Sequence, residues 1–357
     1  MAEKREATSD VQLSEDLSHV AELPKDQGSD FMELNGVLVM GESEGYDIAL
    51  GVGAWHVGGG RNGKWKADDA MMNQTTLVMV PQDKQGRMHD SFFVGNRLDA
   101  SEWTGKVQII QKPDHIIWKA GNRQFISRPP YWEAKGEHLG VDCNLTLGGI
   151  GNASRCYGLW PDLPTTTRAG YEQRCWVEGT ITVKGKVYTL EKAYGIHDQM
   201  TFGHSYDHME LIREPYTYIW CLSGSVQIFL FCMPKAGVSY GRVYVDDQEI
   251  PFSHNEITMD ELELWTDPET GMQVPVRWHV NMKSTGGGVD MIVGSGGRGI
   301  YCVVNKKGYN MRYGLNARTS GSVVLSDGRS VQIPDILSYV EWGRTVMSLE
   351  SGAPSAA

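Results

Sequence analysis

From Leu34 onward the chain alternates apolar and polar residues over short runs, and most runs end at Gly, Pro or Asp. Alternation with period 2 marks a strand with one buried face. Leu34–Met40 and Tyr46–Val52 flank a Gly-Glu-Ser-Glu-Gly turn. Thr75–Val80 and Asp90–Val94 flank a polar turn at Asp83–Met88, Val107–Gln111 and His115–Lys119 flank Pro113-Asp114, and Asp142–Leu147 follows. The second half repeats this grammar. Trp176–Val183 and Lys186–Leu190 join through Lys184-Gly185, short and permissive enough for a hairpin turn. Tyr218–Leu222, Val226–Met233, Gly241–Val245 with Gln248–Pro251, Ile257–Trp265, Val274–Met282, Val289–Val293 and Tyr301–Asn305 come next. Ser322–Leu325 and Ser330–Ile333 close around Asp327-Gly328. Strong helical periodicity is absent. The expected fold class is all-β, built as antiparallel barrels or bent sandwiches, because closure removes exposed strand edges. Val226–Met233 (VQIFLFCM) is apolar on both faces apart from Gln227, as expected of a strand buried on both sides.

The length of 357 residues exceeds what one core usually serves, so two domains are expected. The division read from the sequence is a flexible polar lead over 1–28, a first β-domain over 29–165, a second over 166–348 and a frayed tail over 349–357. Gly148–Gly170 holds several Gly and Pro residues beside Tyr157 and Trp160, and reads as the crossing between domains whose aromatics pack on something. The 42 glycines suit many tight turns. A net charge of −11 argues against a nucleic-acid partner or an anionic membrane surface, since phosphate contacts need basic patches. No run of 18 apolar residues is present, and the first twenty residues lack the apolar core of a signal peptide, so no membrane span and a cytoplasmic location are expected. The six cysteines lack CxxC spacing and read as reduced, buried residues.

Candidate chemistry gathers after the Trp176–Leu190 hairpin. Tyr194, His197 and Asp198 are delivered to the end of a sheet. Asp198 is read either as a desolvated acid/base or as a turn cap, and His197 as an orienting partner or a bystander. Tyr216, Tyr218 and Trp220 alternate along one strand face, where they line a pocket or fill a core. His204, Asp207, His208 and Glu210 include a His-x3-His spacing, but no amphipathic helix surrounds it. No metal is expected there, and His204 is read as cleft lining. Trp55-His56 opens GAWHVGGGRNGKW, which lacks the Lys-Ser/Thr of a phosphate loop and reads as a mobile loop over the first barrel, with Trp55 toward the ligand. Glu133 and Asp142 are candidates for a second carboxylate. Neither a G-x-S-x-G elbow nor a dinucleotide fingerprint occurs.

Val177, Gly179, Thr180, Thr182, Val183, Gly185, Lys186 and Tyr188, followed by Gly195, His197, Asp198 and Gly203, form a pattern that resembles the carotenoid 1,2-hydratase/AttH-like family. Phe202 stands where that family has Trp, and Gln199, Met200 and Thr201 stand where a His or Asn is usual. The resemblance implies two lipocalin-like β-domains with an apolar pocket in or between them. It implies a cofactor-independent lyase, a hydratase or dehydratase, acting on a hydrophobic terpenoid or related specialised metabolite with Asp198 as acid/base. It also admits a cyclase of the Diels–Alder kind, whereas a lipocalin-like carrier would bind such a ligand unchanged. The expected partner is a hydrophobic small molecule. Nothing in the sequence marks an oligomeric state.

Overall fold

Phe31–Ser43 pairs along its whole length with Tyr46–Gly58 on one side, and with Glu191–Gly203 on the other. These long strands place Val37, Val39, Ile48, Leu50 and Val52 on one face and Leu34, Met40 and Trp55 on the other, so both faces are buried. The structure is a computed structural model describing residues 6–24, 31–58, 70–84, 108–203, 214–246, 248–305 and 308–348, with short pieces at 61–62, 65–66, 88, 92–95 and 103–105.

Two curled antiparallel sheets make up the fold. In the first, the order runs Phe92–Gly95, Ala70–Pro81, Tyr46–Gly58, Phe31–Ser43, Glu191–Gly203, Arg168–Val183, Val141–Gly149, Tyr131–His138, Arg123–Arg128, Ile116–Ala120, Gln108–Gln111. Its ends approach across the lumen, where Asn73 Nδ2 donates to the Ala120 carbonyl at 2.9 Å and Thr75 Oγ1 bonds His138 Nδ1 at 2.8 Å. The lumen is filled by Ile116, Trp118, Phe125, Trp132, Leu145 and their neighbours, so it is a core and not an open cup. The second sheet runs Gln248–Phe252, Val238–Val245, Val226–Met233, Tyr216–Leu222, Ser330–Ser348, Gly308–Leu325, Gly287–Asn305, Gln273–Ser284, Ile257–Thr266 around its own core of Trp278, Tyr313, Leu315 and Trp342. The all-β expectation of two lipocalin-like units is met. Val226–Met233 is indeed buried on both faces.

The expected boundary at 165/166 is corrected by the strand pairing. The hairpin strands Arg168–Val183 and Glu191–Gly203 belong to the first sheet, and the second sheet begins at Tyr216. The Gly148–Gly170 stretch is accordingly not a crossing: Ser154–Gly158 pairs back onto Arg168–Val183 within the same sheet. Gly170 sits there at φ +147°, and a Cβ on it would lie 2.3 Å from the Gln199 carbonyl oxygen, so only glycine fits. Trp55 lies within a strand that continues to Gly58, not in a loop. Residues 6–24 are not a flexible lead. They run into the first lumen, where Asp16 is fully buried and accepts from Tyr171 Oη at 2.6 Å and Trp132 Nε1 at 3.0 Å. Glu33, also fully buried, accepts from the His19 backbone at 2.7 Å and Ser18 Oγ at 2.6 Å. A polar segment enters a lumen when its carboxylate and backbone find donors there.

Candidate active site between the two sheets

Glu191–Gly203 exposes its two faces to different surroundings. The odd positions Gly195, His197, Gln199 and Thr201 face the first lumen, and the even positions Tyr194, Ile196, Asp198, Met200 and Phe202 share the opposite face, where Tyr194 and Ile196 pack with Trp220 and Phe229 of the second sheet. His197 and Asp198 are therefore on opposite sides of the sheet. His197 is 1% exposed, stacks on Trp132 with ring centroids 4.9 Å apart, and places Nε2 3.0 Å from Asp16 Oδ1. It holds the N-terminal segment in the lumen.

Asp198 has Glu172 directly opposite it on Arg168–Val183 and Gly36 opposite it on Phe31–Ser43. Both carboxyls therefore share one face, a pairing that disfavours two charges. Glu172 Oε1 accepts from Tyr157 Oη at 2.9 Å and from Tyr218 Oη at 2.7 Å. Trp220 Nε1 in turn donates to the Tyr218 oxygen. Tyr157 reaches Glu172 because Ser154–Gly158 pairs irregularly, a bulge that turns both Cys156 and Tyr157 toward the site. Tyr218 and Trp220 come from the second sheet, so Glu172 is one of the points where the two sheets meet through hydrogen bonds, as Arg318 on Asp47 and Arg174 on Gln227 are others.

A third carboxyl completes the group. Glu341 lies beside Tyr218 on the neighbouring strand, accepts from Tyr216 Oη, and has Arg312 Nη1 3.3 Å away. Gly343, next to Tyr216 in the ladder, is where the Tyr216 ring lies: a Cβ there would sit 2.8 Å from it. Phe229, Phe231 and Tyr240 stack alongside. Cys156, Tyr157, Asp198, Tyr218 and Glu341 are each partly accessible.

The electrostatics follow from this geometry. Burial raises Asp198 well above the ordinary carboxyl range, and the Glu172 and Glu341 charges raise it further. Burial also raises Glu172, but the phenols of Tyr218 and Tyr157 favour its ionised form and hold it back. Asp198 Oδ1 has no such donor. Of the pair, Asp198 is therefore the carboxyl that holds its proton more strongly. Burial pushes Glu341 up to about 7 despite the Tyr216 hydrogen bond. The buried phenols are raised as well and remain neutral donors.

Of the residues singled out in the sequence, the structure brings together Asp198, Tyr157, Tyr216, Tyr218 and Trp220, with Tyr194 packed at the margin against Met40 and Trp220. Trp55 is on the same face but farther along, buried against Leu34, Met72 and Phe202 with its Nε1 2.6 Å from Gln74 Oε1. Trp160 is elsewhere, stacked on His19 at 3.8 Å. His204, with Asp207, His208 and Glu210, lies outside the described residues. Glu133 pairs with Lys135 and Arg128, and Asp142 is on the exposed side of its strand, so neither is the second carboxyl. The carboxyls that act on Asp198 are Glu172 and Glu341, and sequence reading misses both. Glu341 carried a weak signal, as the polar member of a Tyr-Val-Glu-Trp run at the chain's end. Among the described residues no His/Cys/Asp/Glu group is arranged to hold a metal ion, and no helix is long and apolar enough to cross a membrane.

No family model matches the chain, and no curated protein is significantly similar to it in sequence. Solved structures are similar in fold. A putative AttH from Nitrosomonas europaea is 12% identical with a TM-score of 0.53, covering 94% of this chain and 97% of that one. Kievitone hydratase from Nectria haematococca is 12% identical with a TM-score of 0.52, covering 95% of each chain. CghA, solved with Sch210972, is 10% identical with a TM-score of 0.53, covering 88% of this chain and 89% of that one. The chain thus has the two-domain β-fold of these proteins, the fold that its resemblance to the AttH-like family implies.

Proposed function

We propose that this protein is a cofactor-independent hydratase or dehydratase for a hydrophobic, isoprenoid-bearing metabolite bound in the cleft between the sheets. The observation that carries the reading is the Glu172–Asp198 pair, two facing carboxyls buried among aromatic rings, of which Glu172 alone is held by phenol hydrogen bonds. In the hydration direction Asp198 gives its proton to the less substituted carbon of an alkene, and the π electrons form the new C–H bond. The cation on the more substituted carbon faces the rings of Tyr218, Trp220 and Phe229, whose π faces favour positive charge. Water adds to that carbon, and its surplus proton passes to the Asp198 carboxylate, which restores the acid. Glu172 keeps the proton on Asp198 before the step and offsets the cation's charge during it. Dehydration is the same path reversed. The enclosed cleft limits water to what the reaction uses.

A second reading is a cyclase, supported by the rigid aromatic wall of Phe229, Phe231, Tyr218 and Tyr240, which would fold a flexible polyene. Incubation with prenylated, carotenoid-like and polyene substrates in H2-18O, read by mass spectrometry, separates the readings. A product shifted by one water and carrying 18O supports hydration. An isomer of unchanged mass points to cyclisation, and ligand retained without turnover points to a carrier; either result overturns the hydratase reading.

A further inference from the structure

Arg123 opens the strand Arg123–Arg128 and turns into the first lumen at the hairpin end, in register with Ala120. The N-terminal segment does not neutralise it, because Asp16 is anchored to Trp132, Tyr171 and His197. Arg123 is 0% exposed. Nη2 donates to the Val141 carbonyl at 2.7 Å, and Nε and Nη1 have no partner among the described residues. A guanidinium stays ionised at any physiological pH, and a buried charge without a counter-charge is among the most costly arrangements in a protein. The carboxylates that act on it, Asp142 and Glu137, are on exposed, outward-facing positions of their strands. They act through the wall, not by contact.

Other polar groups border the same end of the lumen. His138 pairs in register with Val141, whose carbonyl Arg123 grips, and bonds Thr75 across the barrel at 2.8 Å. Cys143 lies beside them. Burial, together with the Arg123 charge, pushes His138 down to about 4, so its ring is neutral at neutral pH. One positive charge therefore remains uncompensated among the described groups. His138 is half-buried at this end of the barrel.

We propose that the hairpin end of the first barrel binds a small monovalent anion, of the size of chloride or formate, held by the Nε and Nη1 donors of Arg123. One charge on the protein matches one on the anion. A dianion would carry an excess charge into the dry lumen, and a bulky anion would not pass between strands packed at van der Waals contact. The site is on the opposite side of the sheet from Asp198 and does not depend on the catalytic reading.

The test is thermal unfolding of the full chain at fixed pH and ionic strength, with gluconate replaced stepwise by chloride, bromide or formate. Wild type is expected to gain about 1–3 °C in Tm and to saturate. Arg123→Met is expected to show no dependence on the anion. Should that variant fail to fold, bromide-soaked wild-type crystals decide, with an anomalous peak within hydrogen-bond distance of Arg123 Nε or Nη1. Equal Tm in gluconate and chloride, or bromide confined to the outer surface, would overturn the proposal.

Discussion

Glu172 and Asp198 face each other across two antiparallel strands, and only Glu172 receives phenol hydrogen bonds, from Tyr157 and Tyr218. That asymmetry decides which carboxyl keeps the proton. Replacing Asp198 by Asn keeps the shape and removes the acid. Turnover is expected to fall about 10²–10⁴-fold while ligand affinity changes little. An Asp198→Asn enzyme with wild-type kcat would show that the cleft acts by shape alone.

The same residue should cost stability. Its folded pKa is raised above the unfolded value of about 3.9, so its contribution is fully favourable below that pH and is lost as pH rises through the folded pKa. Asp198→Asn should therefore melt at a higher temperature than wild type at neutral pH. The gain should shrink as pH falls toward about 4 and grow on the alkaline side. Calorimetric scans across pH check it, and a gain independent of pH would contradict the assignment.

Glu172→Gln removes the nearest negative charge that raises Asp198. The acid is then weaker in its hold on the proton, and the alkaline limb of the kcat profile should move to lower pH. An unmoved limb would assign that limb to another group, with Glu341, raised to about 7, the first to examine.

Tyr218→Phe removes a donor that crosses from one sheet to the other and leaves Glu172 with Tyr157. Loss of a hydrogen bond to a buried carboxylate costs about 1–3 kcal/mol. The proton should then be shared more evenly between the two carboxyls, lowering kcat more than it raises KM. Steady-state kinetics of this variant separate the effect from simple loss of packing, which would raise KM first.

Asp16 ties the N-terminal segment to Trp132, Tyr171 and His197 in the first lumen. Asp16→Ala should orphan these donors and destabilise the protein by on the order of 3 kcal/mol. Denaturant unfolding measures it, and a loss below about 0.5 kcal/mol would mean that the segment is held by its apolar contacts alone.

Asp198, Tyr218 and Trp220 are legible in the sequence because period 2 sends them to one face and the Gly-x-His-Asp pattern marks the strand. The same periodicity separates His197 from Asp198, since neighbours on a strand point to opposite sides. Glu172 is illegible for a different reason. Arg168–Val183 is buried on both faces through most of its length, and polar residues such as Glu172, Gln173 and Arg174 occupy both. No alternation survives over residues 168–175, so only Trp176–Val183 reads as a strand and the stretch carrying Glu172 does not until its partners are known. Asp16 is hidden likewise: the polar texture of residues 6–24 is that of a solvated tail, and only the donors inside the lumen, distant in sequence, make it a plug.

The most direct test of the account is infrared spectroscopy of the purified protein at about pH 8, comparing wild type with Asp198→Asn. At that pH Glu341, titrating near 7, is mostly ionised. A protonated-carboxyl C=O band in wild type that disappears in the variant is the predicted result. Its absence from wild type, or its persistence in Asp198→Asn, would mean that Asp198 is not the neutral acid of this cleft.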